Sequence, residues 1–285
     1  MLAFALCEEG HDLLPSGDVP LALIAVFVVL LGLAFGSFLN VCISRLPQHK
    51  SVVTPRSQCP QCGTAIRASD NIPLLSWAVL RGRCRSCRRS IAWRYPAVEF
   101  GTAALFLLAY LRFGLTLMGI AMMVLTFLLL GLAAMDAETM RLPDAFTLPG
   151  IVLGIVFAGL LPALTFADHL AHAALAAVGA IAAGLVILTI RWVYFLWRGV
   201  EGMGMGDAKL LALIAAWLGP GLTLVTLFFG ALSASVVGLL WIAIARRQES
   251  PMTARIPFGS FLCGAALYAI YQGPANLGWY MQFFR

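Results

Sequence analysis

Two aspartates in a mostly apolar sequence have the residue type and the setting for acid–base chemistry. Asp136 ends the apolar run GLAAM, and Asp207 follows the glycine-rich stretch EGMGMG. A charged side chain inside a bilayer costs at least about 2.5–3.5 kcal/mol, so such a residue needs a partner or a function. Two carboxyl groups that share one proton can hold a water molecule between them and hydrolyse an amide. The sequence therefore predicts that both acids meet at the mouth of a helix bundle and cut a peptide bond.

Small and charged residues surround the second acid. Glycines alternate at Gly202, Gly204 and Gly206. They allow the backbone to pack closely or to adopt positive φ just before Asp207. Lys209 would either hold Asp207 in position or extend to the membrane interface.

A purely structural interpretation of the acids competes with the catalytic one. In that interpretation Asp136 and Asp144 cap helices, and Asp207 forms an ion pair with Lys209. The residues alone do not decide between the two interpretations.

Four cysteines have the spacing of a zinc ribbon. They are Cys59, Cys62, Cys84 and Cys87. Two residues lie within each pair and 21 residues separate the pairs, so that two tight turns can complete a tetrahedral site. Disulfide bonds are the alternative, but a reducing cytoplasm disfavours them. With four Cys ligands, the predicted zinc is structural.

The composition is that of a polytopic membrane protein. Of 285 residues, 61% are hydrophobic and only 11% are charged, about half the charged fraction of a soluble domain. The mean hydropathy is +0.91. The net charge of +6 resides in loops between apolar runs, which is typical of topology signals and does not predict a nucleic-acid partner.

The apolar runs predict about eight transmembrane helices. They are Pro20–Ile43, Tyr95–Leu111, Leu115–Met135, Ala145–Leu161, Asp168–Arg191, Ala208–Leu218, Leu222–Ala245 and Phe258–Tyr271. With this helix count, every Lys and Arg except Arg112 and Arg285 lies on one side of the membrane. The positive-inside rule assigns that side, with both acids and the cysteine loop, to the cytoplasm.

The predicted fold is an all-α polytopic membrane protein with a cytoplasmic zinc-ribbon-like loop between helices 1 and 2. We divide the chain into an N-terminal segment with the first helix (1–43), the zinc-binding loop (44–94) and a membrane peptidase core (95–285).

Four motifs make the sequence resemble the type IV prepilin peptidases, or prepilin leader peptidase/N-methyltransferases, of the bacterial inner membrane. They are FGSFLNVCISRLP (35–47), the segment from CPQC to WRYPAVE (59–99), DAETMRLPD (136–144) and GMGDAKLL (204–211). One departure is PFGSF in the final helix, where the family favours PFGPF.

The resemblance implies an aspartyl endopeptidase of the GxGD class with Asp136 and Asp207 as catalytic residues. The substrates would be type IV prepilins or type II secretion pseudopilins, which lose a short basic leader after a glycine. The resemblance also implies N-methylation of the new N-terminus with S-adenosylmethionine, for which the sequence suggests no binding residues. The four cysteines would be the zinc ligands. Neither the substrate identity nor the oligomeric state is predicted.

Three acidic residues are candidates for attracting the lysines of such a leader: Glu99, Glu138 and Asp144. The basic loop alone would repel a basic leader. The competing function is a proton- or ion-coupled transporter, in which an intramembrane Asp pair relays protons near the midplane on broken helices. A zinc-bearing scaffold without catalysis is a third possibility.

Overall fold

The computed structural model describes residues 21–162, 165–200, 204–245 and 256–282, with side chains given up to residue 244 in the third range and 272 in the last. Helices form the regular structure of these ranges, and β-pairing within them is limited to two isolated bridges. The all-α prediction is confirmed. Residues 1–20, Gly202 and the predicted loop from Arg246 lie outside the described residues.

The elements follow the predicted apolar runs closely. They are α1 Leu21–Arg45, α2 Leu75–Val79, α3 Arg94–Phe113, α4 Leu117–Thr139, α5 Asp144–Leu160, α6 Phe166–Arg198, α7 Met205–Ala245 and α8 Phe258–Gln282. A break at Gly219, with φ of 74° and ψ of 174°, divides α7 into two helical segments. Pro220 follows and cannot donate a helical hydrogen bond, so the predicted stop near residue 219 is confirmed.

Helices of membrane-spanning length and composition confirm a multi-pass membrane protein. Among the described residues there are five, α1, α3, α4, α6 and α7, and α5 is a shorter apolar helix. The figure of eight crossings stays a prediction, because it counts α5, both segments of α7, and α8.

Helix α6 buries small residues and exposes large apolar ones, the reverse of a helix in a soluble protein. Its buried side includes the small residues Ala176, Ala180 and Ala183. Large apolar side chains such as Leu175 and Val178 are exposed. Small residues let helix backbones approach inside a bundle, while lipid solvates the large ones. This arrangement supports contact of α6 with lipid.

The chain forms two compact units that divide within α4, between residues 131 and 132. In the first unit, α1 packs against α3 through two glycines. A Cβ at Gly32 would lie 2.6 Å from Ala103 Cα, and one at Gly36 would lie 2.7 Å from Glu99 Cα. Only glycine permits this approach. The three-part division predicted above stays a prediction.

In the second unit, α7 is fixed against α5 and α6 near its middle. Ala180, Ala212 and Ala216 form a buried cluster, with Trp217 packed against it. The Trp217 indole N–H donates to the carbonyl of Gly150 at 2.8 Å. This half-buried contact helps to position the N-terminal turn of α7, where Asp207 lies.

Candidate active site

Asp136 lies in the last turn of α4 and is only 5% exposed. The helix continues to Thr139, beyond the predicted end at residue 135, so Asp136 is a helical residue and not the first residue of a loop. Its Oδ2 accepts a hydrogen bond from the Ser260 backbone N–H at 2.8 Å and contacts the Ser260 hydroxyl at 3.2 Å. Both contacts join α4 to the first turn of α8.

Sequence reasoning did not identify Ser260 as a site residue. Its contact with Asp136 joins residues 124 positions apart, which no local pattern reveals. The available signal was the departure PFGSF, which places serine where the family resemblance leads one to expect proline.

Asp207 lies in the first turn of α7 and reaches back toward the start of its own helix. Its Oδ2 accepts the Gly204 backbone N–H at 3.2 Å, and its own N–H donates to the Gly204 carbonyl at 3.2 Å. This is the reciprocal half of a capping box, in which a glycine replaces the usual Ser or Thr. Asp207 therefore orders the turn that carries it.

The structure brings Asp136 and Asp207 together. The side chain of Leu142 lies close to a glycine beside each acid. Its Cδ1 would be 3.2 Å from a Cβ at Gly206 and 3.1 Å from a Cβ at Gly259. The two carboxyl groups also interact electrostatically with each other. Both acids lie at helix ends, away from the break in α7, which is the arrangement expected of the peptidase and not of the transporter alternative.

Of the two predicted roles of the glycines before Asp207, the described residues show close packing. Neither Gly204 nor Gly206 has a positive φ. Close packing is confirmed at Gly206, where a Cβ would lie 3.0 Å from Leu142 Cβ. At Gly204 a Cβ would lie 3.4 Å from Asp207 Oδ2, an ordinary contact.

Lys209 pairs with Asp144, and its extension to the membrane interface stays a prediction. Its Nζ lies 2.5 Å from Asp144 Oδ1, so that within the described chain its ion pair is with Asp144 and not with Asp207. The pair joins the first turn of α5 to the first turn of α7. Asp144 begins α5, and Lys209 neutralises its charge. A leader lysine would therefore have to compete with Lys209 for this carboxylate.

The other two candidate leader-binding acids have different surroundings. Glu138 is exposed in the last turn of α4. Glu99 is only 9% exposed, and its Oε2 accepts the Leu74 backbone N–H at 2.8 Å. Leu74 has φ of 58°, an unfavourable conformation for a branched residue, which this bond stabilises. The structure thus corrects the prediction for Glu99: it holds the segment before α2.

The four cysteines converge in the first unit. Their sulfur atoms all lie within 4.8 Å of one another, and Cys59 Sγ is 3.9 Å from Cys87 Sγ. A tetrahedral zinc with Zn–S bonds of about 2.3 Å requires sulfur atoms about 3.8 Å apart. The thiols are not joined by disulfides. Geometry and donor set therefore fit a four-thiolate metal site.

Each cysteine pair lies on a similar tight turn. In the first, the Gly63 N–H donates to the Cys59 carbonyl at 2.9 Å; in the second, the Arg88 N–H donates to the Cys84 carbonyl at 3.0 Å. The residue after the second cysteine has positive φ in both turns, 69° at Gly63 and 59° at Arg88. The two turns thus present their sulfur atoms in the same way.

Local hydrogen bonds prepare two of these thiols for metal binding. The Thr64 side chain lowers the pKa of Cys62 to about 6. Backbone groups of Cys87 and Ser86 lower the pKa of Cys84. The thiolate is the form that binds metal, so both shifts favour ligation.

Two segments of the chain match known family models. Residues 30–113 match the family model of the bacterial peptidase A24 N-terminal domain, and residues 123–242 match that of the type IV leader peptidase family. The first match contains the cysteine segment, and the second contains both acids. No solved structure matches the chain.

Three curated relatives carry the name prepilin leader peptidase/N-methyltransferase. That of Burkholderia pseudomallei is 37% identical, over 90% of this chain and 87% of its own length. That of Pseudomonas aeruginosa is 36% identical, over 93% and 95%, and that of Myxococcus xanthus is 40% identical, over 85% and 70%. These matches cover most of the chain, and the chain belongs to the type IV leader peptidase family.

Proposed function

We propose that this protein is a membrane aspartyl endopeptidase that removes the leader from type IV prepilins or from the pseudopilins of type II secretion. The observation that carries the proposal is the meeting of Asp136 and Asp207 at neighbouring helix ends around Leu142. The names of the curated relatives support the substrate class.

The two acids divide the proton transfers of amide hydrolysis. One carboxylate takes a proton from a water molecule, whose oxygen attacks the carbonyl carbon, while the other carboxyl group donates a proton to the carbonyl oxygen. Collapse of the intermediate re-forms the C=O bond and breaks the C–N bond. The proton taken from water passes to the leaving amine, and one hydroxyl proton of the intermediate returns to the second carboxylate. The hydrogen bonds of Asp136 and Asp207 described above both engage Oδ2, which leaves Oδ1 of each acid to hold the water.

The substrate's apolar helix would stay in the bilayer with its basic leader in the cytoplasm. Lys and Arg are concentrated in the loops on one predicted side, which the positive-inside rule assigns to the cytoplasm. In the inner membrane the scissile bond would then lie at the level of Asp136 and Asp207. Glu138, exposed in the last turn of α4, would attract leader lysines. At Asp144 a leader lysine would compete with Lys209.

The same protein would methylate the new N-terminus with S-adenosylmethionine. This part of the proposal rests on the relatives' shared name, and no residues are assigned to the cofactor. The metal held by Cys59, Cys62, Cys84 and Cys87 would be a structural zinc, since four protein ligands leave no open position.

Cleavage of a labelled prepilin in membranes containing the protein tests the proposal. Asp136→Asn and Asp207→Asn should each abolish cleavage while the protein stays folded. Asp168→Asn is the control, because its carboxylate caps the start of α6 through Thr165. With S-adenosylmethionine present, the mass of the product should show loss of the leader and gain of one methyl group. Cleavage by both asparagine variants would overturn the assignment.

A further inference from the structure

We infer that Ser260 is a positioning residue that holds the Asp136 carboxyl group in both of its protonation states. The inference rests on the proposed function, because it concerns the acid assigned to catalysis. Ser260 lies beyond residue 242, where the match to the leader peptidase family ends.

The first argument is the geometry of the contact. The Ser260 N–H donates to Asp136 Oδ2 at 2.8 Å, and the Ser260 Oγ lies 3.2 Å from the same oxygen. Ser260 Oγ also donates to the Ala133 carbonyl at 2.8 Å. One serine thus contacts the acid and the preceding turn of the helix that carries it.

The second argument is that the hydroxyl has a single hydrogen and two acceptor positions. When Asp136 is ionised, this hydrogen can turn to Oδ2 and join the N–H in stabilising the negative charge. When Asp136 is protonated at Oδ2, the acid donates to Ser260 Oγ, whose hydrogen turns to the Ala133 carbonyl. Rotation of one O–H bond therefore satisfies both states, and no heavy atom moves.

The third argument is burial. Asp136 is 5% exposed, so water contributes little to holding its carboxyl group, and a buried polar group requires hydrogen-bond partners. A catalytic group must also stay close to its productive position throughout the cycle. Proline at residue 260 would offer neither the N–H nor the hydroxyl.

Steady-state cleavage of a prepilin by the full-length protein tests the role of the hydroxyl. Ser260→Ala keeps the backbone N–H and removes the hydroxyl. It should lower kcat about tenfold while KM stays within about twofold, because the lost interaction is with a charged reacting group and not with substrate. Ser260→Thr retains a hydroxyl and should restore most of kcat.

A second variant and a control separate positioning from folding. Ser260→Cys preserves the shape but supplies a weaker donor, and it should also lower kcat. Ser233→Ala removes a half-buried hydroxyl that donates to the Gly230 carbonyl in α7, and it should leave kcat unchanged. Thermal unfolding in detergent should show that all variants are folded.

The outcomes distinguish this inference from the proposed function. If wild type cleaves, Asp136→Asn does not, and Ser260→Ala and Ser260→Cys both keep the wild-type kcat, the inference alone is overturned. A Thr variant as impaired as the Ala variant would also overturn it. If wild type fails to cleave any prepilin, the proposed function fails and the inference fails with it.

Discussion

Leu142 and Gly206 are so close that a side chain at residue 206 would displace Leu142 by a few tenths of an ångström. A Cβ atom there would lie 3.0 Å from Leu142 Cβ and 3.2 Å from Leu142 Cδ1. Gly206 directly precedes Asp207, and Leu142 belongs to the short connection between α4 and α5. The contact therefore sets the position of the Asp207 backbone relative to the helix that carries Asp136.

Alanine at residue 206 should displace this backbone and impair cleavage. We expect Gly206→Ala to lower kcat about tenfold, since the contact requires a shift of a few tenths of an ångström, smaller than the ~1 Å misplacement that costs about a hundredfold. Adding Leu142→Ala removes the contacts to Leu142 Cγ and Cδ1 but not to Cβ, and should restore activity in part. Gly179→Ala is the control, because its Cβ would meet only the Ala215 carbonyl at 3.9 Å. Wild-type activity of Gly206→Ala would contradict this view of the contact.

Gly259 should be equally sensitive, for a different reason. A Cβ there would lie 3.0 Å from Asp136 Oδ2 and 3.2 Å from Asp136 Cγ, so Gly259→Ala must push the carboxyl group aside. We expect a loss of kcat of about tenfold with normal folding, since the shift is smaller than the ~1 Å that costs about a hundredfold. Gly264→Ala lies on the same helix, has nothing within 4 Å of its Cβ, and should be active. The two variants, compared in one cleavage assay, differ in whether the added methyl group meets Asp136 and Leu142.

Removal of one cysteine ligand should release the metal. Cys59→Ser leaves three thiolates, and we expect loss of bound zinc, measured by mass spectrometry of the purified protein, together with faster proteolysis of the loop. Cys42→Ala changes a buried cysteine on α1 and should keep full zinc content. Unchanged zinc in Cys59→Ser would refute the ligand assignment.

Arg88→Gly and Gly63→Ala, one in each cysteine turn, should change zinc affinity in opposite directions. Arg88 has φ of 59°, a conformation that costs an L-residue roughly 1–2 kcal/mol and glycine little. After the entropy of glycine is allowed for, Arg88→Gly should raise zinc affinity about threefold, measured by competition with a chelator. Gly63→Ala introduces the same strain with nothing within 4 Å of the new Cβ, and it should lower affinity. Equal affinities in both variants would show that backbone strain does not matter here.

Charge reversal at the exposed acids should weaken binding of a basic leader. Glu138→Lys and Asp144→Lys should each raise KM for prepilin about threefold or more at low salt, and the effect should shrink as salt screens the charges. A prepilin whose leader lysines are replaced by glutamine is the control and should be insensitive to both changes. Normal KM values for both variants with the basic leader would exclude this role.

The local pattern of apolar residues was sufficient to predict the class of the protein and most of the helices. Runs of apolar residues long enough to cross a bilayer predicted the spans to within a few residues for α1 and α3, because the membrane imposes length and hydropathy on each span separately. It was less accurate at two helix ends: α4 passes Asp136, and α6 runs to Arg198 instead of 191.

By itself, the sequence determined which residues could do chemistry: two acids in apolar surroundings and four cysteines at ligand spacing. Residue type and local spacing are sufficient for both. Only the tertiary structure decided the partners: Ser260 for Asp136, Asp144 for Lys209 and Leu74 for Glu99. These contacts join residues between 25 and 124 positions apart, and which side chains meet depends on how closely glycines let the helices approach. That property belongs to the packed bundle and not to any single segment.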